Sequence, residues 1–292
     1  MRLIARIGVA AALIVTVIFL SLSRIHENIR PPQHLWHFDT TPLRGHEPEP
    51  HPPPRPKRKW WAGAEEKQKV EYQVVEVDVP SHGAIVMGKF RDQDTSWLSQ
   101  IAEWRSFIYL VDDPSAFFHT PTNKGREALP YLQFIIEHYD KIPDMSIFLH
   151  HHNEGPESWH IDNYWHSNVD AVRALQKDTV EREGFVSLRC QLSPGCPVAI
   201  QPGRRANAEA ESAEKYYSRA WRALFDNDDV PAQIAAPCCS QFAVSRDQIL
   251  QRPLSDYKRM YNWVLNTKLS DEIVSKIMEY SWHIIFGKEP VL

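Results

Sequence analysis

Five histidines lie within one short stretch of the chain, residues 145–166. The apolar run from Met145 to Leu149 predicts a buried strand, and three histidines follow it directly: His150, His151 and His152. Because side chains alternate along an extended chain, His150 and His152 share one face. The polar stretch after them adds further aromatic and metal-ligating side chains, namely Trp159, His160, Asp162, Trp165 and His166.

This cluster predicts a site for a divalent metal ion. Neutral imidazole binds zinc, manganese and iron ions, so we expect His150, His152 and His160 to hold Mn²⁺ or Zn²⁺, with Asp162 or His166 completing the set. Histidine also acts as a general base near neutral pH and binds phosphate when it is charged. The alternative is a polar loop whose histidines only form hydrogen bonds with the backbone.

Two acidic side chains follow another apolar run. Residues 107–111 predict a strand that ends directly in Asp112 and Asp113. Carboxylates at the carboxyl end of a strand can hold a divalent metal or a ribose hydroxyl. The sequence Asp-Asp-Pro-Ser is also common in turns, so a purely structural role stays open.

A third candidate site opens the helix that we predict from Asn123 to Tyr139. Lys124 and Arg126 lie in its first turn, and a helix N-terminus with two basic side chains can receive a phosphate. Capping with a solvated first turn is the alternative. Pro130 falls inside this helix and should kink it or restart it.

Several catalytic motifs are absent from the sequence. It has no P-loop, no Rossmann glycine fingerprint, no G-x-S-x-G elbow and no H-E-x-x-H pair. Their absence argues against the standard nucleotide hydrolases, hydride-transfer enzymes, esterases and metalloproteases. A formal net charge of −4 argues against nucleic-acid binding, which needs a basic face.

The first 69 residues differ in composition from the rest. Residues 1–23 predict an uncleaved signal anchor, because residues 3–22 are apolar enough for one membrane span and follow a basic start. A cleaved signal peptide is the alternative. Residues 24–69 are rich in proline and predict an extended, disordered stem. With a globular domain at residues 70–292, this is a layout of single-pass Golgi enzymes whose domain faces the lumen, although receptors share it.

Within residues 70–292, apolar strands alternate with amphipathic helices. That order predicts an α/β domain with a mostly parallel, Rossmann-like sheet flanked by helices. Ligands of such sheets bind outside the carboxyl ends of the strands. We therefore expect the acidic pair and the histidines to meet in one crevice.

The chain has four cysteines: Cys190, Cys196, Cys238 and Cys239. Their spacing fits no zinc-binding pattern. In an oxidising compartment, a disulfide between Cys190 and Cys196 is the easiest to form. Buried free thiols are the alternative.

Several blocks of sequence are distinctive in combination. They are Asp112–Ser115, Thr120–Ala128, Phe148–His152, Arg189–Cys190, Gly195–Pro197, Cys238–Ser245 and Glu279–Gly287. Together these blocks resemble a fungal family of unknown function, DUF3431. The likeness covers roughly residues 85–288, and the family has no settled activity that would carry over to this chain.

Two late segments, Gln241–Arg246 and Glu279–Gly287, are similar to nucleotide-sugar glycosyltransferases of the GT-A fold. Those enzymes bind a metal and a sugar diphosphate at an Asp-x-Asp after a strand, where this chain has three histidines. The likeness implies a glycosyltransferase-like enzyme that uses a nucleotide sugar and a glycan acceptor. It implies these roles: nucleotide or metal contacts for Asp112 and Asp113, metal or diphosphate contacts for His150 and His152, donor contacts for Lys124, Arg126 and Gln241, sugar stacking for Trp159 and Trp165, and a base at Glu279 or Asp162.

Two other functions stay open on the sequence alone. The missing Asp-x-Asp favours a non-catalytic lumenal binding or scaffold domain. The histidine cluster favours a metal enzyme of secondary metabolism.

Overall fold

A five-stranded sheet forms the centre of the protein. The structure, a computed structural model, describes residues 82–154, 166–189, 196, 200–202 and 212–292. The strands lie in the order β2-β1-β3-β5-β4. Their bounds are β1 (Ala84–Lys89), β2 (Arg105–Leu110), β3 (Met145–Phe148), β4 (Phe185–Ser187) and β5 (Phe242–Ser245).

The strands do not all run in one direction. β1 pairs in parallel with β2 on one side and with β3 on the other, whereas β5 pairs antiparallel with both β3 and β4. Among the described strands, β5 alone therefore opposes the rest. The predicted α/β domain with helices around a central sheet is confirmed, and the sheet is mixed. The sequence carries no signal for the direction of β5, because β5 is as apolar as its neighbours.

Helices cover the sheet throughout the described part of the chain. The helix Ala128–His138 packs on β1 and on the helix Leu254–Asn266. The helix Ala213–Phe225 packs against the helices Leu254–Asn266 and Asp271–Glu279. Short 3-10 helices span Ser96–Ile101 and Tyr139–Lys141. The α-helices are α1 (Ala128–His138), α2 (Asn168–Ala174), α3 (Lys177–Glu183), α4 (Ala213–Phe225), α5 (Arg246–Leu250), α6 (Leu254–Asn266), α7 (Asp271–Glu279) and α8 (Trp282–Ile285).

The centre of the sheet is buried on both faces. Ala84 and Val86 of β1 enter one apolar cluster, and Ile85 and Met87 enter a second. This period of two is the pattern of a strand that is covered on both sides. All residues of β3 are buried in the same way. The strand ends are consequently the places where this sheet can present polar side chains.

The helix α1 begins later than the sequence predicts. Gly125 and Arg126 have φ of 65° and 53°, in the left-handed region, so the chain cannot be helical there. Pro130 therefore lies in the first turn of α1, where its missing N–H is tolerated, and no kink is needed. The predicted start at Asn123 was wrong because the sequence does not reveal the φ of Arg126.

The predicted anchor and stem lie outside the described residues. The chain divides into two units, residues 1–67 and residues 68–292, and every described residue belongs to the second. Within that part, no helix combines the length and the apolar character of a membrane span. The membrane anchor stays a prediction.

Gly88 near the end of β1 allows α1 to approach the sheet closely. A Cβ at this position would lie 2.5 Å from Cγ of Pro130. We expect Gly88→Ala to lower the free energy of unfolding in urea by about 1–3 kcal/mol, because a packed core has no space for an added methyl group. Gly88→Ala should cost less stability when it is introduced into the Pro130→Ala variant than when it is introduced into wild type, because the clashing ring is then absent. Equal stability of Gly88→Ala and wild type would contradict the close packing.

Candidate functional site

A cavity of about 390 Å³ opens at the carboxyl ends of β1, β2 and β3. The chain passes from β1 to β2 on one side and later to β3 on the other, so the strand order reverses between β1 and β3. Ligands of open α/β sheets bind at such a reversal, and the volume lies in the range of small-molecule sites. Each element contributes to the lining: Lys89 at the end of β1 and Phe90 after it, Val111 after β2, His150–His152 after β3, and Arg126 and Glu127 before α1.

The backbone of the histidine triplet is held by three neighbouring side chains. The His150 N–H donates to Oε1 of Gln241 at 2.9 Å, and Trp97 Nε1 donates to the His151 carbonyl at 2.7 Å. Asn168 Nδ2 donates to the His152 carbonyl at 2.8 Å. The triplet therefore has a fixed place at the wall of the cavity. Gln241 positions a residue of the wall, and its predicted contact with substrate stays a prediction.

The metal prediction rests partly on residues that the structure does not describe. The rings of His150 and His152 lie 5.6 Å apart between their centres, as expected for side chains on one face. Within the described ranges, no group of three His, Cys, Asp or Glu side chains could hold a metal ion. Trp159, His160, Asp162 and Trp165 lie outside those ranges. Binding of Mn²⁺ or Zn²⁺ by His150, His152 and His160 stays a prediction.

The two basic residues before α1 have different surroundings. Lys124 donates from Nζ to the Leu269 carbonyl at 2.5 Å and lies 3.4 Å from Oδ1 of Asp271, which also accepts from the Gly125 N–H at 3.1 Å. Lys124 therefore fastens this loop to the start of α7. Arg126 is exposed and lines the cavity, where a guanidinium can receive a phosphate.

Glu127 is a cavity residue that the sequence interpretation did not select. It directly precedes α1 and is partly buried. Burial, together with the nearby charge of Glu279, raises the pKa of its carboxyl from 4.5 to about 7, although Ser240 and Arg126 oppose the shift. A carboxyl with this pKa is present in both protonation states at neutral pH, so it can accept or give a proton.

Two buried hydroxyl groups flank Glu127. The Ser240 hydroxyl lies close enough to lower the pKa of Glu127, yet it completes no hydrogen bond of normal geometry with a described residue. Burial, and then the charge of Glu127, raise the pKa of Tyr131, whose hydroxyl likewise has no partner within the described ranges. Both hydroxyls are therefore placed to respond when Glu127 gains or loses its proton.

Glu279 is a residue that the sequence selects as a base, and that role stays a prediction. Its Oε1 accepts a hydrogen bond from Lys276 Nζ at 2.9 Å. It lines a narrow crevice with Ser240, Gln241 and Trp282, and it is not among the described residues that line the cavity. Its charge reaches Glu127. Glu279 thus tunes a carboxyl that faces the cavity.

Asp112 and Asp113 lie at the same edge of the sheet, but their carboxylates bond to nearby loops. Asp112 accepts from the Arg91 N–H at 3.0 and 3.2 Å. Asp113 accepts from Ser115 Oγ at 2.6 Å and forms an ion pair with Arg91. The Ser115 hydrogen bonds, more than the Arg91 charge, hold the pKa of Asp113 below its usual value. This is the turn role that the sequence left open, and a nucleotide contact stays a prediction.

An unusual turn before β5 places Ser240 and Gln241. Cys238 and Cys239 form a disulfide between adjacent residues. Cys239 and Ser240 have φ of 90° and 51°, a region that costs about 1–2 kcal/mol per non-glycine residue. Cys196 carries a free thiol and Cys190 lies outside the described residues. The disulfide in the structure is therefore not the predicted Cys190–Cys196 pair, since spacing alone does not reveal the turn at Cys238.

The position of Glu127 explains why it was missed. The helix predicted from Asn123 placed Glu127 in a solvated first turn, where a carboxylate only complements the helix dipole. In the structure the helix starts at Ala128, and buried residues follow at once. A carboxylate directly before a run of apolar helix residues is the signal that could have selected it.

We predict that Gln241→Met loosens the histidine wall. The variant removes the acceptor of the His150 N–H, so we expect a loss of about 1–3 kcal/mol in the free energy of unfolding and a shift of the His150 resonances in NMR spectra. Gln251→Leu is the control, because Gln251 is exposed and its side chain bonds only to Gln248. Unchanged stability and unchanged His150 resonances in Gln241→Met would show that this hydrogen bond does not position the triplet.

Comparison with known proteins identifies the family but no activity. No curated protein and no solved structure matches the chain, so the likeness to GT-A glycosyltransferases has no support from them. A family model described as "Protein of unknown function (DUF3431)" matches residues 85–292, more than two thirds of the chain. The match includes every element that builds the cavity. The chain therefore belongs to the DUF3431 family, as the sequence blocks predict.

Proposed function

We propose that this protein is a glycosyltransferase-like enzyme that moves a sugar from a nucleotide-sugar donor to a hydroxyl group of a glycan acceptor. One observation carries the proposal. In the cavity at the reversal of strand order, cationic and imidazole side chains stand beside a carboxyl that titrates near neutral pH. Sugar transfer needs both: positive charge for the departing diphosphate and a base for the acceptor hydroxyl.

The cationic side chains provide a place for the donor diphosphate. Arg126 offers a planar guanidinium, which pairs with phosphate through two hydrogen bonds. Lys89 lines the same cavity. His150 and His152 can add charge when protonated. These side chains can supply positive charge to the departing diphosphate, and binding of Mn²⁺ or Zn²⁺ at the histidines stays a prediction.

Glu127 is the base in this proposal. Its ionised form would accept the proton of the acceptor hydroxyl as that oxygen bonds to the sugar and the diphosphate departs. Burial, and to a smaller extent the charge of Glu279, disfavours ionisation of Glu127 and so makes Glu127 a stronger base than an ordinary carboxylate. A base with a pKa close to the working pH is the most effective one.

Fold type and location are parts of the same proposal. The parallel β2-β1-β3 unit with its reversal supports a Rossmann-like or GT-A-like sheet. The apolar run at residues 3–22 and the proline-rich residues 24–69 support a single-pass protein of the Golgi or another part of the secretory pathway, with its domain in the lumen.

We predict that Glu127→Gln abolishes transfer but retains donor binding. The full-length protein would be assayed against a panel of nucleotide sugars and glycan acceptors, with release of the nucleoside diphosphate as the readout. We expect kcat of the variant to fall by about 10²–10⁴. In the wild type, kcat/KM should rise with pH through about 7 and then level off, because only ionised Glu127 accepts a proton.

Two comparisons make this test specific. Glu181→Gln changes an exposed carboxylate on α3 and should leave kcat unchanged. Thermal shifts with the nucleotide sugar should be equal in wild type and Glu127→Gln. A wild-type protein that binds nucleotide sugars without turnover would indicate the non-catalytic binding function, and one that binds none would contradict the proposal.

A further inference from the structure

The turn after β1 presents an aromatic ring to the cavity. Phe90 lines the cavity and is 39% exposed. Phe117, at 66%, is the more exposed phenylalanine, and it is not among the described residues that line the cavity. An exposed ring at a cavity offers a flat surface for a planar ligand group.

Hydrogen bonds of Gln93 hold this turn in place, and its side chain still has an NH₂ group that a ligand can use. Its Oε1 accepts from the Phe90 N–H at 2.8 Å, and its backbone N–H donates to the Phe90 carbonyl at 3.2 Å. Lys89 Nζ donates to the Gln93 carbonyl. The side-chain oxygen of Gln93 accepts from the backbone, and its carboxamide, which also lines the cavity, has an NH₂ group that can donate to a ligand.

We propose that residues 89–93 form a nucleobase subsite, in which Phe90 stacks on the base and Gln93 donates a hydrogen bond to a carbonyl of the base. The inference rests on the proposed function for the presence of a nucleotide. The turn would recognise the base of that nucleotide and favour bases with a suitable carbonyl. Uracil and guanine carry the required carbonyl, whereas adenine does not.

The positions of the charges fit this assignment. Lys89 lies next to Phe90 in the chain, and Arg126 lines the same cavity. A nucleoside diphosphate with its base on Phe90 would therefore have cationic side chains within the cavity for its phosphates. Adenosine diphosphate carries the same phosphates, so any preference over it must come from the base.

Calorimetry on the full-length protein with uridine diphosphate, adenosine diphosphate and pyrophosphate tests the subsite. We expect wild type to bind uridine diphosphate at least about fivefold more tightly than adenosine diphosphate. Phe90→Ala should weaken the binding of uridine diphosphate about tenfold, which is the size of a lost base–aromatic stack. The affinity for pyrophosphate should stay unchanged. Phe90→Trp should retain the affinity, and Phe117→Ala should match wild type.

Gln93→Glu isolates the hydrogen bond. A carboxylate still accepts from the Phe90 N–H but cannot donate to a carbonyl, so the preference for uridine diphosphate should disappear while the turn stays in place. If Phe90→Ala lowered the affinities for uridine diphosphate and for pyrophosphate by the same factor, the stacking role would be overturned. Equal wild-type affinity for the two nucleotides would overturn the role of Gln93. Binding of pyrophosphate without any gain from a nucleoside would overturn the subsite alone, whereas binding of none would remove the proposed function as well.

Discussion

The parallel pairing of β1 with both β2 and β3 determines where this protein can do chemistry. Parallel strands present their carboxyl ends at one edge, and the centre of the sheet is buried on both faces. Polar side chains can therefore gather beyond the ends of the central strands. After β1 the chain goes to β2 on one side, and β3 lies on the other side of β1, so the strand order reverses between β1 and β3. The cavity lies at this reversal.

The antiparallel β5 completes the site. Because β5 opposes β3, its first residues lie beside the end of β3, so the turn before β5 brings Ser240 and Gln241 next to the histidines and Glu127. The same turn lies beside Glu279. Two carboxyls thus share a poorly solvated region, and the one that faces the cavity holds its proton up to neutral pH. The packing of the fold therefore raises the pKa of the residue that we propose as the base.

Much of this arrangement could be predicted from the sequence. Apolar runs predicted the positions of β2 and β3 to within one or two residues, and the polar residues after them pointed to one edge of the sheet. Backbone direction and local φ could not be predicted. The left-handed Arg126 delays α1 and turns Glu127 from a surface residue into a cavity residue. Likewise, hydrogen bonds within the turns occupy Asp112, Asp113 and Lys124, whose residue types alone suggested ligand contacts.

The central claim is that burial and Glu279 keep Glu127 protonated up to neutral pH. Isotope-edited infrared titration of the carboxyl, assigned by difference from Glu127→Gln, measures this directly. The account predicts a midpoint near pH 7 in wild type, which moves down in Glu279→Gln because a neighbouring negative charge is removed. Lys276→Gln keeps the Glu279 carboxylate and should leave the midpoint of Glu127 near pH 7. A wild-type midpoint near the ordinary value of 4.5 would contradict the account.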